Sequence, residues 1–228
     1  MSVTRLHFQQ EIEALRSGMV EMASIVLSQV ERAVSAWDDC DAEAAEQVIA
    51  GDERVDDTCN DLDHRIFSIQ ILEAPVATDQ RLLHVGLIAV IALERVGDLA
   101  VSIADLARAQ RPEGMQPQIQ MMIRRMSAQA VDTLALAIQA IARGDVDLGE
   151  RACAQAIGVR EQLGQVLNAV SNHAGEPETR AWSAAAVLVA RHLERVANNG
   201  AELGGRVRFL VTGTPFQRHQ AQEAPTSA

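Results

Sequence analysis

Apolar residues recur along this chain at spacings of three and four positions, which is the period of a helix with one buried face. The first such stripe runs from Leu15 to Val34, and the second runs from Val48 to Ile69. Between Leu82 and Leu93 nearly every residue is apolar. We therefore expect the helix that contains this last segment to lie centrally, with neighbours on more than one side.

Helix ends are marked by proline, glycine and acidic residues. The chain has six prolines, and none interrupts an apolar stripe, as expected because a proline inside a helix costs about 3 kcal/mol. The acidic residues around Cys40 and the pair Gly144-Asp145 supply two further stops and starts. Together these signals predict six helices, at 4–37, 41–72, 79–110, 117–143, 145–171 and 177–211. Their short connections predict antiparallel neighbours.

One segment occurs twice. The chain reads Leu-Glu-Arg-Val-Gly-Asp at 93–98 and Leu-Glu-Arg-Val-Ala-Asn at 193–198, an offset of 100, while the helix start at Asp41 matches Asp145 at an offset of 104. The four-residue difference fits between the second and third helices of each half. These matches predict an all-α fold of two tandem antiparallel three-helix bundles related by internal duplication. The expected division is a first unit at 1–112, a second unit at 113–213 and a flexible polar tail at 214–228.

Composition favours helices and excludes several kinds of site. Aromatic residues are 3% of the chain, there is no tyrosine, and residues that favour helices dominate. Every one of the 20 cationic residues is arginine, which rules out a catalytic lysine and a lysine-containing phosphate loop. The formal net charge of −11 argues against nucleic acid as a partner. The longest apolar run, at 85–93, is too short to insert into a membrane, and we expect a cytoplasmic protein.

Two pairs of acidic residues, each spaced i,i+4 on one helix face, are the candidate site: Asp52, Asp56, Glu94 and Asp98. Asp52 extends the second apolar stripe, and Glu94 directly follows the longest apolar run. A carboxylate in such a place is costly unless it is paired or bound to a metal. If the two helices are adjacent, four carboxylates would converge. An all-oxygen set suits magnesium, manganese or iron rather than zinc on thiolates.

Two observations weigh against a metal. Arg54 and Arg95 lie between the acids of each pair and would neutralise them without any ion. In addition, di-iron oxidases of the ferritin type need a histidine three residues after a glutamate, where this chain has Gly97 and Ala197. A metal site and a purely structural ion-pair cluster both stay open at this point.

Four segments of the chain resemble the PhoU family of phosphate-signalling proteins. They are 8–12 with Leu15 and Met22, 74–82, 93–98, and 209–213 followed by His219. They occur in the family's order on a duplicated three-helix frame, and the match runs from about residue 4 to residue 219.

The resemblance implies a cytoplasmic negative regulator of phosphate uptake and of the phosphate-starvation response, not an enzyme. Such proteins act as adaptors between the ATPase subunit of the Pst phosphate transporter and a phosphate-sensing histidine kinase, and they often form homodimers.

Some members of that family bind metal through acid-xxx-acid motifs, one pair per repeat. Carried over to this chain, the first-unit motifs fall on the four acidic residues named above. The second unit departs from the pattern because Asn198 replaces the distal acid, and because Ala156 and Arg160 stand where the other pair would be. Glu194 is therefore the weaker candidate, and a divalent metal is expected in the first unit.

Two other classes of function remain as alternatives. The first is a metal-dependent helical enzyme that uses Glu94 and Asp98. The second is a structural dimer without a ligand.

Overall fold

The computed structural model describes residues 3–108, 115–172 and 177–214. Within these ranges the chain forms seven α-helices and no strand. In chain order they are α1 (Val3–Asp39), α2 (Ala42–Ala50), α3 (Asp52–Leu72), α4 (Thr78–Ala107), α5 (Pro117–Arg143), α6 (Val146–Ser171) and α7 (Pro177–Thr212). The all-α prediction is confirmed. No helix in the described part of the chain is long and apolar enough to cross a membrane.

The prediction of one continuous second helix at 41–72 is wrong, because the structure divides this segment into α2 and α3 at Gly51. Glycine has low helix propensity, and the N–H of Gly51 bonds to two carbonyls of α2, those of Gln47 and Val48, at 3.1 Å each. A side chain at this position would also meet the Gln29 amide, whose Nε2 lies 3.5 Å from an ideal Cβ built on Gly51. In the second unit the matching residue, Gln155, lies inside the continuous helix α6.

The two units start their second helices in the same way. The Asp41 carboxylate accepts a hydrogen bond from the Ala44 N–H at 3.0 Å, and the Asp145 carboxylate accepts one from the Leu148 N–H at 3.1 Å. Gly144, at φ 65°, ends α5 in the left-handed conformation that glycine adopts without strain. The offset of 104 found in the sequence therefore aligns the same structural position in both units.

Helix α4 is the centre of the molecule, as its apolar sequence predicts. It packs against α1, α2 and α3 of its own unit and against α7 of the second unit, while α1 packs against α5. Buried side chains from all seven helices form one continuous core. The predicted boundary near residue 112 and the predicted tail beyond residue 214 lie outside the described residues.

Candidate metal centre

Helices α3 and α4 bring the predicted acidic residues together because their backbones run side by side. Gly97 makes this approach possible. An ideal Cβ on Gly97 would lie 3.1 Å from the Asp52 Oδ1 and 3.2 Å from a methyl group of Val55. The Asp52 carboxylate thus rests against the α4 backbone, where any larger residue at position 97 would push it away.

Two of the four carboxyl groups, those of Asp52 and Glu94, have raised pKa values. Burial raises the pKa of Asp52, and the negative charges of Asp56 and Asp98 raise it further. The pKa of Glu94 is raised by burial and then by all three aspartates, against an opposing effect of Arg95. Asp52 and Glu94 are half-buried, whereas Asp56 and Asp98 are exposed. The acidic residues therefore share one strongly negative region.

Among the described residues, no arginine or histidine forms an ion pair with these four carboxylates, although the charge of Arg95 acts on Glu94. The described arginine and histidine nitrogens all lie more than 4.0 Å from the four carboxylates, and Arg54 instead pairs with Glu21 at 3.7 Å. In the described ranges, no three His, Cys, Asp or Glu side chains are grouped closely enough to hold an ion as they stand. The four acidic residues therefore lie close enough to act on one another electrostatically. Their carboxylates do not, as placed, surround a single point at which an ion could bind.

A fifth polar residue, Gln29 on α1, was missed by the sequence analysis. It is only 5% exposed, and neither its Oε1 nor its Nε2 has a hydrogen-bond partner. The Oε1 lies 3.7 Å from the ideal Cβ position of Gly97, which the Asp52 Oδ1 also approaches, at 3.1 Å. The sequence held one signal that could have pointed to Gln29: it is a polar residue beside the apolar stripe of α1, next to Val30. Side-chain oxygen atoms that could bind a cation thus come from three helices, α1, α3 and α4.

The region opens to solvent through a groove between α3 and α4. The groove has a volume of about 420 Å³, and Asp56 and Glu94 lie in its wall together with Cys59, Asp63 and Ile91. A small cation therefore has a route to the carboxylates.

The second unit holds its matching glutamate differently. Glu194 is 5% exposed, and its carboxylate accepts hydrogen bonds from the Arg191 Nη1 and the Asn198 Nδ2, each at 2.7 Å. The Arg160 Nε lies 4.0 Å from the same carboxylate. Arg160 stands at the position that Asp56 has in the first unit. The second unit thus supplies its own positive charge.

Alanine side chains occupy the second-unit positions that match Asp52 and Gly97. Ala156 replaces Asp52 and Ala197 replaces Gly97, and both alanines are buried. The space that the first unit gives to a carboxylate is therefore apolar in the second unit, which leaves Glu194 as a single, fully paired acid.

Comparisons with known proteins identify the family. Residues 19–107 match the family model described as the PhoU domain. A phosphate-specific transport system accessory protein PhoU homolog from Pseudomonas aeruginosa is 30% identical over 209 residues, which cover 91% of this chain and 86% of that protein. The chain belongs to the PhoU family. A PhoU homolog with the same description from Pseudomonas putida is 29% identical over 221 residues, or 96% of this chain and 86% of that protein.

Solved PhoU structures have the same fold. The crystal structure of PhoU from Pseudomonas aeruginosa aligns with a TM-score of 0.85 at 28% identity, covering 91% of this chain and 100% of that one. The family resemblance inferred from four short segments is confirmed.

Proposed function

We propose that this PhoU protein is an accessory protein of phosphate transport that acts by binding other proteins rather than by catalysis. The observation that carries the proposal is the near full-length similarity to relatives named as phosphate-specific transport system accessory proteins. The alternative of a metal-dependent enzyme at Glu94 and Asp98 gains nothing from these relatives, because each is named as an accessory protein.

In finer detail, we propose a cytoplasmic negative regulator that contacts the ATPase subunit of the phosphate transporter and a phosphate-sensing histidine kinase. Large apolar side chains at the end of α3 and in the following loop support a role in protein contacts. They are exposed by 59% or more: Phe67, Ile71, Leu72 and Val76. Exposed apolar surface of this kind is typical of interaction sites, including those of homodimers.

Deletion of the gene in its own host tests the regulatory role. We expect phosphate uptake and the phosphate-starvation genes to become active in phosphate-rich medium. Re-expression of the wild-type chain should restore repression. Unchanged expression in a strain that lacks every paralogue would contradict the proposal.

The same protein is proposed to bind a divalent cation, magnesium, manganese or iron, in the first unit. Asp52, Asp56, Glu94 and Asp98 would hold it, since hard cations prefer carboxylate oxygens. Two features support this assignment: the four carboxylates form no ion pair with a described residue, and the matching region of the second unit has arginines beside its glutamate. Ligation requires the carboxylates to turn toward a common point, and the exposure of Asp56 and Asp98 leaves room for that rotation.

Titration with Mn²⁺ tests the cation site. We expect the wild-type protein to bind Mn²⁺ and the double variant Glu94→Ala, Asp98→Ala to lose most of that binding. The control is Asp57→Asn, Asp61→Asn, which removes as much negative charge from exposed positions of α3 outside the four-carboxylate region. Undiminished binding by the double Ala variant would place the metal elsewhere.

A further inference from the structure

The amide of Gln29 is the one feature of the first-unit region that neither the acidic motifs nor the helix packing explains. A buried polar side chain in a native protein almost always has a hydrogen-bond partner, so each exception calls for a cause. Gln29 is 5% exposed, and both of its amide atoms lack a partner. The amide lies between Gly51 and Gly97, with its Nε2 3.5 Å and its Oε1 3.7 Å from their ideal Cβ positions.

The orientation of this amide points to a cation. The Gln29 Oε1 and the Asp52 Oδ1 both approach the ideal Cβ position of Gly97, at 3.7 Å and 3.1 Å. Both atoms are hydrogen-bond acceptors, and two acceptors directed at one region repel each other unless a donor or a positive ion lies between them. The described arginines contribute no ion pair to Asp52.

The second unit has a different arrangement at the position that corresponds to Gln29. Thr133 matches Gln29 at the offset of 104. It is completely buried, and its hydroxyl donates to the Gln129 carbonyl at 2.7 Å and lies 3.4 Å from the Gln155 Oε1. Gln155 in turn matches Gly51. The second unit therefore closes this position with its own hydrogen bonds, whereas the first unit has a longer amide facing a glycine.

We propose that Gln29 is a ligand of the first-unit cation, with its Oε1 supplying a neutral oxygen beside the Asp52 carboxylate. This inference rests on the cation site proposed above and adds a residue outside the acid-xxx-acid motifs. A neutral amide oxygen is a common ligand of hard cations. It adds a ligand without adding a fifth negative charge to a region that already has four.

Two substitutions at this position separate a ligand from a mere packing residue. Gln29→Leu removes both polar atoms, and we expect it to weaken Mn²⁺ binding roughly 10- to 100-fold, the usual effect of losing a supporting group at a metal site. Gln29→Glu keeps an oxygen at the same place and adds charge, so it should bind Mn²⁺ at least as tightly as the wild type. Thr133→Val is the matched control in the second unit and should leave Mn²⁺ affinity unchanged.

Affinity is measured by calorimetry and by paramagnetic resonance of unbound Mn²⁺, and thermal unfolding in chelator and in Mn²⁺ gives a second readout. Mn²⁺ should raise the melting temperature of the wild type and of Gln29→Glu more than that of Gln29→Leu. If Gln29→Leu binds as tightly as the wild type, Gln29 is not a ligand. If Gln29→Glu is weakened as much as Gln29→Leu, the amide serves as a donor to Asp52 and the proposal is overturned. If the wild type binds no Mn²⁺, the cation site itself fails.

Discussion

Glu94 and Glu194 show how one residue in one motif takes two roles. A carboxylate removed from water needs a positive partner or must take up a proton. Glu194 has the Arg191 guanidinium at 2.7 Å and Arg160 at 4.0 Å. Burial raises the pKa of Glu94, and the charges of three aspartates raise it further against an opposing effect of Arg95. Glu194 is therefore neutralised within its own unit, whereas Glu94 forms no ion pair with a described residue.

His192, two residues before Glu194 on α7, provides a prediction about pH. Its Nδ1 is buried without a partner, and burial followed by the charge of Arg195 lowers its pKa below the ordinary value of 6.5. As the pH falls through 6.5, the unfolded chain takes up the proton before the folded chain does. His192 therefore reduces the free energy of unfolding on acidification, and this loss begins near the unfolded pKa.

We expect His192→Gln to weaken that acid sensitivity. The measurement is urea unfolding of the wild type and the variant on both sides of the ordinary histidine pKa, at about pH 7.5 and about pH 5.5. The wild type should lose more free energy of unfolding between the two conditions than the variant. Equal losses in the two proteins would show that His192 does not contribute.

At the scale of elements, the crossing of α6 and α7 is much closer than a sequence pattern can show. An ideal Cβ on Gly149 would lie 2.5 Å from the Gly204 carbonyl oxygen, and one on Gly204 would lie 2.6 Å from the Gly149 carbonyl oxygen. The two backbones are therefore in direct contact. The matching residues of the first unit are Ala45 on α2 and Ala104 on α4, which carry methyl groups and are buried.

The α6–α7 contact predicts opposite effects for two glycine substitutions. Gly204→Ala should lower the free energy of unfolding by about 1–3 kcal/mol, because the clash with a carbonyl outweighs the gain of about 1 kcal/mol in helix propensity. Gly164→Ala on α6 is the control, since nothing lies within 4 Å of its ideal Cβ. It should raise the free energy of unfolding by up to about 1 kcal/mol. Urea unfolding of both variants provides the measurement, and equal stabilities would argue against the close crossing.

Some features of the helices could be predicted from the sequence, and others could not. The stripe of α1, the central place of α4 and the caps at Asp41 and Asp145 follow from patterns within one helix, and the structure has all of them. The break at Gly51 and the place of Gln29 depend on which side chain of a distant helix fills a space. No spacing along the chain connects Gln29 with Asp52, so only the packed structure brings them together.

At the scale of the whole molecule, the two units form one folded body through contacts at their boundary. Trp37 of α1 stacks on Trp182 of α7 with ring centroids 5.7 Å apart. The buried Asp38 carboxylate forms an ion pair with Arg124 and accepts a hydrogen bond from the Gln120 amide at 2.9 Å, both from α5. These contacts join a core that is already continuous across the units. Neither unit should therefore unfold on its own.

The two tryptophans make this cooperativity measurable, because they are the only ones in the chain and both lie buried at the boundary. Their emission reports separation of the units, whereas far-ultraviolet circular dichroism reports helix content throughout. We expect the two signals to give the same urea midpoint, as they do in an all-or-none transition. Asp38→Asn weakens the tie to α5 and should shift both curves together to lower urea. Emission that changes before helix content is lost, in either protein, would mean that the units separate first and fold independently.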